Sequence, residues 1–200
     1  MFLSRLYCAP FTESGCNAVY ELNVLVQARA KDDYQFIKKR KNLNLAIVID
    51  RSGSMSGQPL EEAKKSAIML VEKMSQTDRI SIITYDDIPQ ITVPSTLCHN
   101  KRYIIGEISR ISIGGSTNLH GGWLLGAEEV AKNKSSQSLN RVLLLSDGNA
   151  NQGETSENVI SDQCSQLARE GVITSTYGLG QPPSNAKKFI EKFTKNPIKD

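Results

Sequence analysis

Leu43-Asn44-Leu45-Ala46-Ile47-Val48-Ile49-Asp50-Arg51-Ser52-Gly53-Ser54-Met55-Ser56-Gly57 decides the fold. An apolar run ends abruptly in a carboxylate, and two hydroxyls follow on alternate residues around a glycine. Such a run reads as a strand buried on both faces, as in a parallel sheet covered by helices. Open α/β sheets place ligand sites just beyond the carboxyl ends of these strands. Asp50, Ser52 and Ser54 stand there with hard oxygen donors only, a set suited to Mg²⁺, Mn²⁺ or Ca²⁺ and poorly matched to zinc or copper.

Outward from this stretch, strands and helices alternate. Pro59 opens a helix at a position where its missing N–H costs nothing, and Leu60, Ala63, Ala67, Leu70, Val71 and Met74 recur at helical spacing. Glu61 stands four residues before Lys65, the favourable orientation for an ion pair on one helix face. Arg79 to Tyr85 reads as a strand, and Ile88 to Val93, which contains Pro89, as a short edge strand. Tyr103 to Ile111 reads as a helix. Leu119, Trp123, Ala127, Val130 and Ala131 mark another, entered through Gly114-Gly115-Ser116-Thr117-Asn118. Arg141 to Ser146 is a second buried strand ending in Asp147-Gly148. A helical face follows (Val159, Ile160, Cys164, Leu167, Ala168), then a strand over Val172–Leu179 and a basic helix over Ala186–Phe193. This order predicts an α/β fold with a doubly wound, mostly parallel sheet flanked by helices.

The 200-residue chain suits one domain with a sizeable core. Its net charge of +3 is too small to argue for nucleic acid. Lys38-Lys39-Arg40-Lys41 reads as a solvated linker before the first core strand rather than a polyanion patch. Residues 1–42 read as an N-terminal extension with one strand, Val19–Ala30, and this basic linker; residues 43–200 read as the domain itself. No stretch has the roughly 18–20 apolar residues of a membrane helix, and Met1–Cys8 lacks the apolar core of a secretory signal, so a cytoplasmic location is expected. Cys8, Cys16, Cys98 and Cys164 form no CxxC pair. Cys8 and Cys16 could pair, but thiols in a reducing compartment are the preferred reading, with Cys164 buried on its helix.

Three loops offer oxygen: Asp50, Ser52 and Ser54 in the first, Thr117 in a glycine-rich turn, and Asp147 after the second buried strand. Together, as Asp50-Arg51-Ser52-Gly53-Ser54, Gly-Gly-Ser-Thr-Asn-Leu-His-Gly-Gly around Thr117, and Leu-Ser-Asp-Gly-Asn around Asp147, they resemble the von Willebrand factor type A (vWA) domain and its metal-ion-dependent adhesion site (MIDAS). The resemblance covers about residues 43–180 and is nearest the free-standing bacterial members. It implies a Rossmann-like vWA fold. It also implies Ser52, Ser54 and Thr117 as direct ligands of Mg²⁺ (or Mn²⁺/Ca²⁺), with Asp50 and Asp147 acting largely through water or hydrogen bonds. A partner's Asp or Glu would then displace a metal-bound water. Two carboxylates balance the cation, and three hydroxyls fill coordination without added charge. Gly53 is expected to permit the tight turn, and Gly114 and Gly115 to let the Thr117 loop approach closely.

Single loops of this composition often hold mere turn and cap residues, and Thr117 or Asn118 could cap the following helix. Three matching loops favour the metal. His120 reads as a helix-start residue, His99 lacks partners for a zinc site, Asp86 and Asp87 read as a solvated turn, and Trp123 as core. The function expected is a metal-dependent protein–protein interaction module and not an enzyme. A metal-assisted phosphohydrolase needs a second Asp where Ser52 stands, and no nucleotide-phosphate loop or nucleophile elbow is present. The alternative is a non-catalytic subunit of a larger ATPase or chelatase-like assembly. Compared with the family pattern, the last strand and helix look missing, leaving Val172–Leu179 as an edge open to self-association or to a completing partner.

Overall fold

The computed structural model describes residues 40–147 and 151–179. The expected strand Val19–Ala30, the helix Ala186–Phe193, and Cys8 and Cys16 lie outside the described residues. The apolar run forms β1 (Asn42–Asp50), and a short 3-10 turn, Gly53–Met55, leads into α1 (Gln58–Lys73). Next come β2 (Arg79–Tyr85), β3 (Gln90–Leu97), α2 (Lys101–Ser109), α3 (Leu119–Ala131), β4 (Ser138–Ser146), α4 (Glu157–Arg169) and β5 (Ile173–Gly178). The sheet order is β3-β2-β1-β4-β5. β1 lies parallel to β2 and β4, β4 is parallel to β5, and only β3 runs antiparallel. This is the expected doubly wound, mostly parallel sheet. Among the described residues β5 is its outermost strand beyond β4. No described helix is long and apolar enough to cross a membrane.

The side-chain alternation of β1 explains why nearly every residue in it is apolar. Leu45, Ile47 and Ile49 pack on one face with Leu60, Ala63, Ala67 and Val71 of α1 and Ile104 and Ile108 of α2. Ala46 and Val48 pack on the other with Leu119, Trp123, Ala127 and Val130 of α3, and Cys164 and Leu167 of α4 rest on that cluster. Both faces are thus removed from water, which a parallel sheet requires. Because β1 is joined to β2 through α1 on one side and flanked by β4 on the other, its carboxyl end is the point where the winding reverses. A crevice for a ligand opens at such a point.

Several expectations shift in detail. The edge strand starts after Pro89 and runs to Leu97, longer than Ile88–Val93. Its register slips twice against Ile80–Ile83, and Pro94, which has no N–H to give, falls within the irregular part of this edge. α2 begins two residues earlier than Tyr103, because the Asn100 side chain accepts a hydrogen bond from the Tyr103 amide at 3.1 Å. β4 extends back to Ser138, since Ser138–Asn140 pair with Asn42–Asn44. Glu61 pairs with Lys64 at 3.0 Å rather than with Lys65; residues three apart also share a helix face. Gly53 is not the residue that needs glycine's conformational freedom: the left-handed position is Gly57, with φ of 82°, at the cap of α1.

Candidate metal centre

Asp50 ends β1 and is fully buried. Its Oδ1 accepts the Ser52 amide at 2.9 Å, which folds the chain back over the carboxylate. Its Oδ2 accepts two hydroxyls, Ser146 Oγ at 2.7 Å from the end of β4 and the Tyr85 hydroxyl at 3.1 Å from the end of β2. The carboxylate is therefore held from its own loop and from both neighbouring strands. Ser52 and Ser54, two residues apart across Gly53, bring their Oγ atoms to 3.1 Å of one another.

The Thr117 loop docks on this first loop through the backbone. The Gly53 amide donates to the Gly115 carbonyl at 2.9 Å, and the Gly114 amide donates to the Arg51 carbonyl at 2.6 Å. Thr117 is buried, with its amide donating to Asn151 Oδ1 at 2.9 Å. The Thr117 carbonyl in turn accepts the Asn151 and Gln152 amides at 3.3 and 3.2 Å. Asn118 caps α3, accepting the Gly121 amide at 3.0 Å, so the cap reading holds for Asn118. Asp147 directly follows the Ser146 that grips Asp50, and its charge acts on Asp50. The structure thus gathers the loops of Asp50, Ser52, Ser54, Thr117 and Asp147 at the carboxyl ends of β1 and β4.

Asp87 is exposed in the turn after β2, as expected from its sequence, but Asp86 is not solvated. Asp86 is buried and pairs with Arg51 at 2.6 Å, while its carbonyl accepts the Asn118 amide at 2.8 Å. Asp87 Oδ1 accepts the Ser116 amide at 2.7 Å. Both residues brace the Thr117 loop from the β2–β3 turn. Two adjacent acids after a strand carry no local sign of this role, because their partners lie about thirty positions away in sequence. Asn151, equally, is marked only by its closeness to Asp147.

Burial raises the Asp50 carboxyl above its ordinary value of 3.8, and the charge of Asp147 adds to the rise against the hydrogen bonds from Ser52 and Ser146. Burial and the Asp50 charge likewise push the Tyr85 hydroxyl well above 10.0, so it remains a neutral donor. A buried carboxylate with a second negative charge acting on it gains from a nearby cation. The donors present fit a hard divalent ion: ligands at about 2.1 Å on adjacent corners of an octahedron sit roughly 3.0 Å apart, close to the Ser52–Ser54 separation of 3.1 Å. No group of three or more His, Cys, Asp or Glu side chains suited to a metal occurs among the described residues.

The remaining polar residues stand outside this cluster. His99 follows β3 at the opposite end of the sheet, where the neighbouring Cys98 amide donates to the Asp78 carbonyl at 2.9 Å. His120 lies in the first turn of α3, with Nε2 at 2.7 Å from Gln163 Oε1. Trp123 is core, as expected, with its indole N–H donating to Thr174 Oγ1 at 2.9 Å. Cys164 is half-buried rather than buried.

The comparisons agree with this architecture. The sequence profile of the von Willebrand factor type A domain matches residues 44–197. An uncharacterized protein of Synechocystis, sll0103, is 35% identical over 159 residues, which is 80% of this chain and 34% of that protein; the chain spans about a third of the length of this relative. Among solved structures, the fold resembles mussel-byssus proximal thread matrix protein 1 with a zinc-occupied MIDAS motif (TM-score 0.60, 18% identity, 76% of this chain and 41% of that one). It also resembles the manganese-loaded TRAP protein of Plasmodium vivax (TM-score 0.60, 16% identity, 80% and 65%). With the profile running from the first core strand past the last described one, on a sheet wound in the same way, this chain belongs to the von Willebrand factor type A domain family.

Proposed function

We propose that this chain is a metal-dependent protein-interaction module. Asp50, Ser52, Ser54, Thr117 and Asp147 hold a divalent cation, and an Asp or Glu of a protein partner completes its coordination. The observation that carries this reading is the Ser52–Ser54 hydroxyl pair at 3.1 Å, set beside a buried carboxylate whose two oxygens are already engaged. Hydroxyls are weak donors and leave the cation electrophilic. Two carboxylates cancel its charge, so an incoming carboxylate meets little repulsion and gains an inner-sphere bond. The two metal-loaded structures of the same fold support a divalent occupant. Mg²⁺ and Mn²⁺ suit the oxygen donors best, and the zinc-occupied site of the mussel protein makes Zn²⁺ the comparison to run.

No step of covalent chemistry is assigned to the chain: the residue two positions after Asp50 is Ser52, where a phosphohydrolase of this layout needs a second acid. The test is titration of the protein with Mg²⁺, Mn²⁺ and Zn²⁺ by calorimetry, followed by partner capture with and without EDTA. Heat from Mg²⁺ or Mn²⁺ and EDTA-sensitive capture are expected. Capture that survives EDTA, or that survives neutralising every interfacial Asp and Glu of the partner, overturns the reading.

A further inference from the structure

Tyr85 is a fully buried aromatic at the end of β2, packed in the cluster under α3. It stands directly across from Asp50 in the β1–β2 register. Its ring fits so closely that a Cβ on Gly122 of α3 would come within 2.5 Å of Tyr85 Cδ1. A phenylalanine would fill the same space, and packing gives no reason for a hydroxyl here. Burying that hydroxyl costs desolvation unless it is hydrogen-bonded. It donates to Asp50 Oδ2 at 3.1 Å, the oxygen that also receives Ser146 Oγ at 2.7 Å.

We propose that Tyr85 is a positioning residue of the metal centre: its hydroxyl, together with that of Ser146, clamps the Asp50 carboxylate between the two strands that flank β1. The inference rests on the metal-binding reading above. Held from its own loop by Ser52 alone, the carboxylate is free to swing about that residue. Two further donors, fixed on β2 and on β4, converge on Oδ2 and remove that freedom. Oδ2 is thereby committed to the protein, and the carboxylate charge stays beneath the Ser52 and Ser54 hydroxyls. Outer partners that orient a metal-site carboxylate commonly change metal affinity by about 10- to 100-fold when removed.

The experiment compares wild type, Tyr85→Phe, Ser146→Ala and Ser146→Thr. Each is titrated with Mn²⁺ alone by calorimetry and melted separately in EDTA. Expected are a roughly 10- to 100-fold weaker Mn²⁺ affinity for Tyr85→Phe and Ser146→Ala, near-wild-type affinity for Ser146→Thr, which keeps a hydroxyl, and melting in EDTA close to wild type for Tyr85→Phe. Wild type that binds Mn²⁺ while Tyr85→Phe and Ser146→Ala bind within about twofold of it overturns the clamp, as does a fall in EDTA melting with affinity unchanged, which marks a purely structural role. Absence of Mn²⁺ heat in wild type overturns the metal reading itself and this inference with it. If Tyr85→Phe does not fold, the Ser146→Ala and Ser146→Thr pair decides.

Discussion

The Arg51 guanidinium meets the Asp86 carboxylate at 2.6 Å, and Gly114 passes so close to Asp86 that a side chain there would overlap the carboxylate and its Cβ. The Asp50–Ser54 loop, which carries Arg51, the turn after β2 and the loop carrying Thr117 are thereby locked into one unit. Gly114 is glycine because the carboxylate occupies the space of its Cβ.

Gly114→Ala should therefore destabilise the fold by about 1–3 kcal/mol through overpacking and displace the Thr117 loop. Asp86→Ala in the same chain should recover part of the loss, since the two changes share one space. Denaturant melts of the two single variants and the double variant measure the coupling; strictly additive losses would contradict it.

Asp50→Ala removes one of the two charges that balance the cation, and metal affinity should fall by on the order of 100-fold or more. Thr117→Ala removes a neutral donor, and a fall nearer 10-fold is expected, with unfolding changed by only about 1 kcal/mol. Calorimetry and melting with and without EDTA read both. In wild type, metal at 100 times its Kd should add about 2.7 kcal/mol of stability.

At the far end of the sheet, Asp78 is buried and accepts Arg40 at 2.7 Å, the Leu43 amide at 2.8 Å and the Ser75 amide at 2.7 Å. Burial alone would raise its carboxyl, but these donors outweigh burial and hold it below 3.8. A depressed acid binds its proton more weakly in the fold than unfolded. Its contribution is thus complete above the ordinary value of 3.8 and fades as pH falls through the lower folded value. Asp78→Ala, which leaves two main-chain amides without their acceptor, should cost roughly 1–3 kcal/mol at neutral pH and flatten the acid limb of a stability–pH curve. An unchanged acid limb would refute the assignment.

Burial pushes the Cys98 thiol up to about 11, with the Asp78 charge adding to it, and pushes the Cys164 thiol up to about 12. Both are therefore protonated at neutral pH and poor nucleophiles. Peptide mapping after a short alkylation at pH 7 should find both unmodified in the native protein and modified after denaturation. Rapid native labelling of Cys98, which is buried beside Met74, would show that this part of the core opens readily.

Sequence alone determined the sheet and marked the candidate oxygen donors. Leu45–Ile49 is apolar at every position because both faces of β1 are covered, and that pattern is local. The alternation of strands and helices, the span of α3, and the motif around Asp50, Thr117 and Asp147 are local as well. What only the tertiary structure decided depends on residues far apart in the chain. Ser138–Asn140 become strand by pairing with Asn42–Asn44. Asp86 and Asp87 become braces because Gly114–Asn118 close over them. Tyr85 and Ser146 become partners of Asp50 because β2 and β4 flank β1. A hydrogen bond between strands leaves no periodicity in either strand, so neither hydroxyl differs in sequence from an ordinary core tyrosine or strand-end serine until the sheet is assembled.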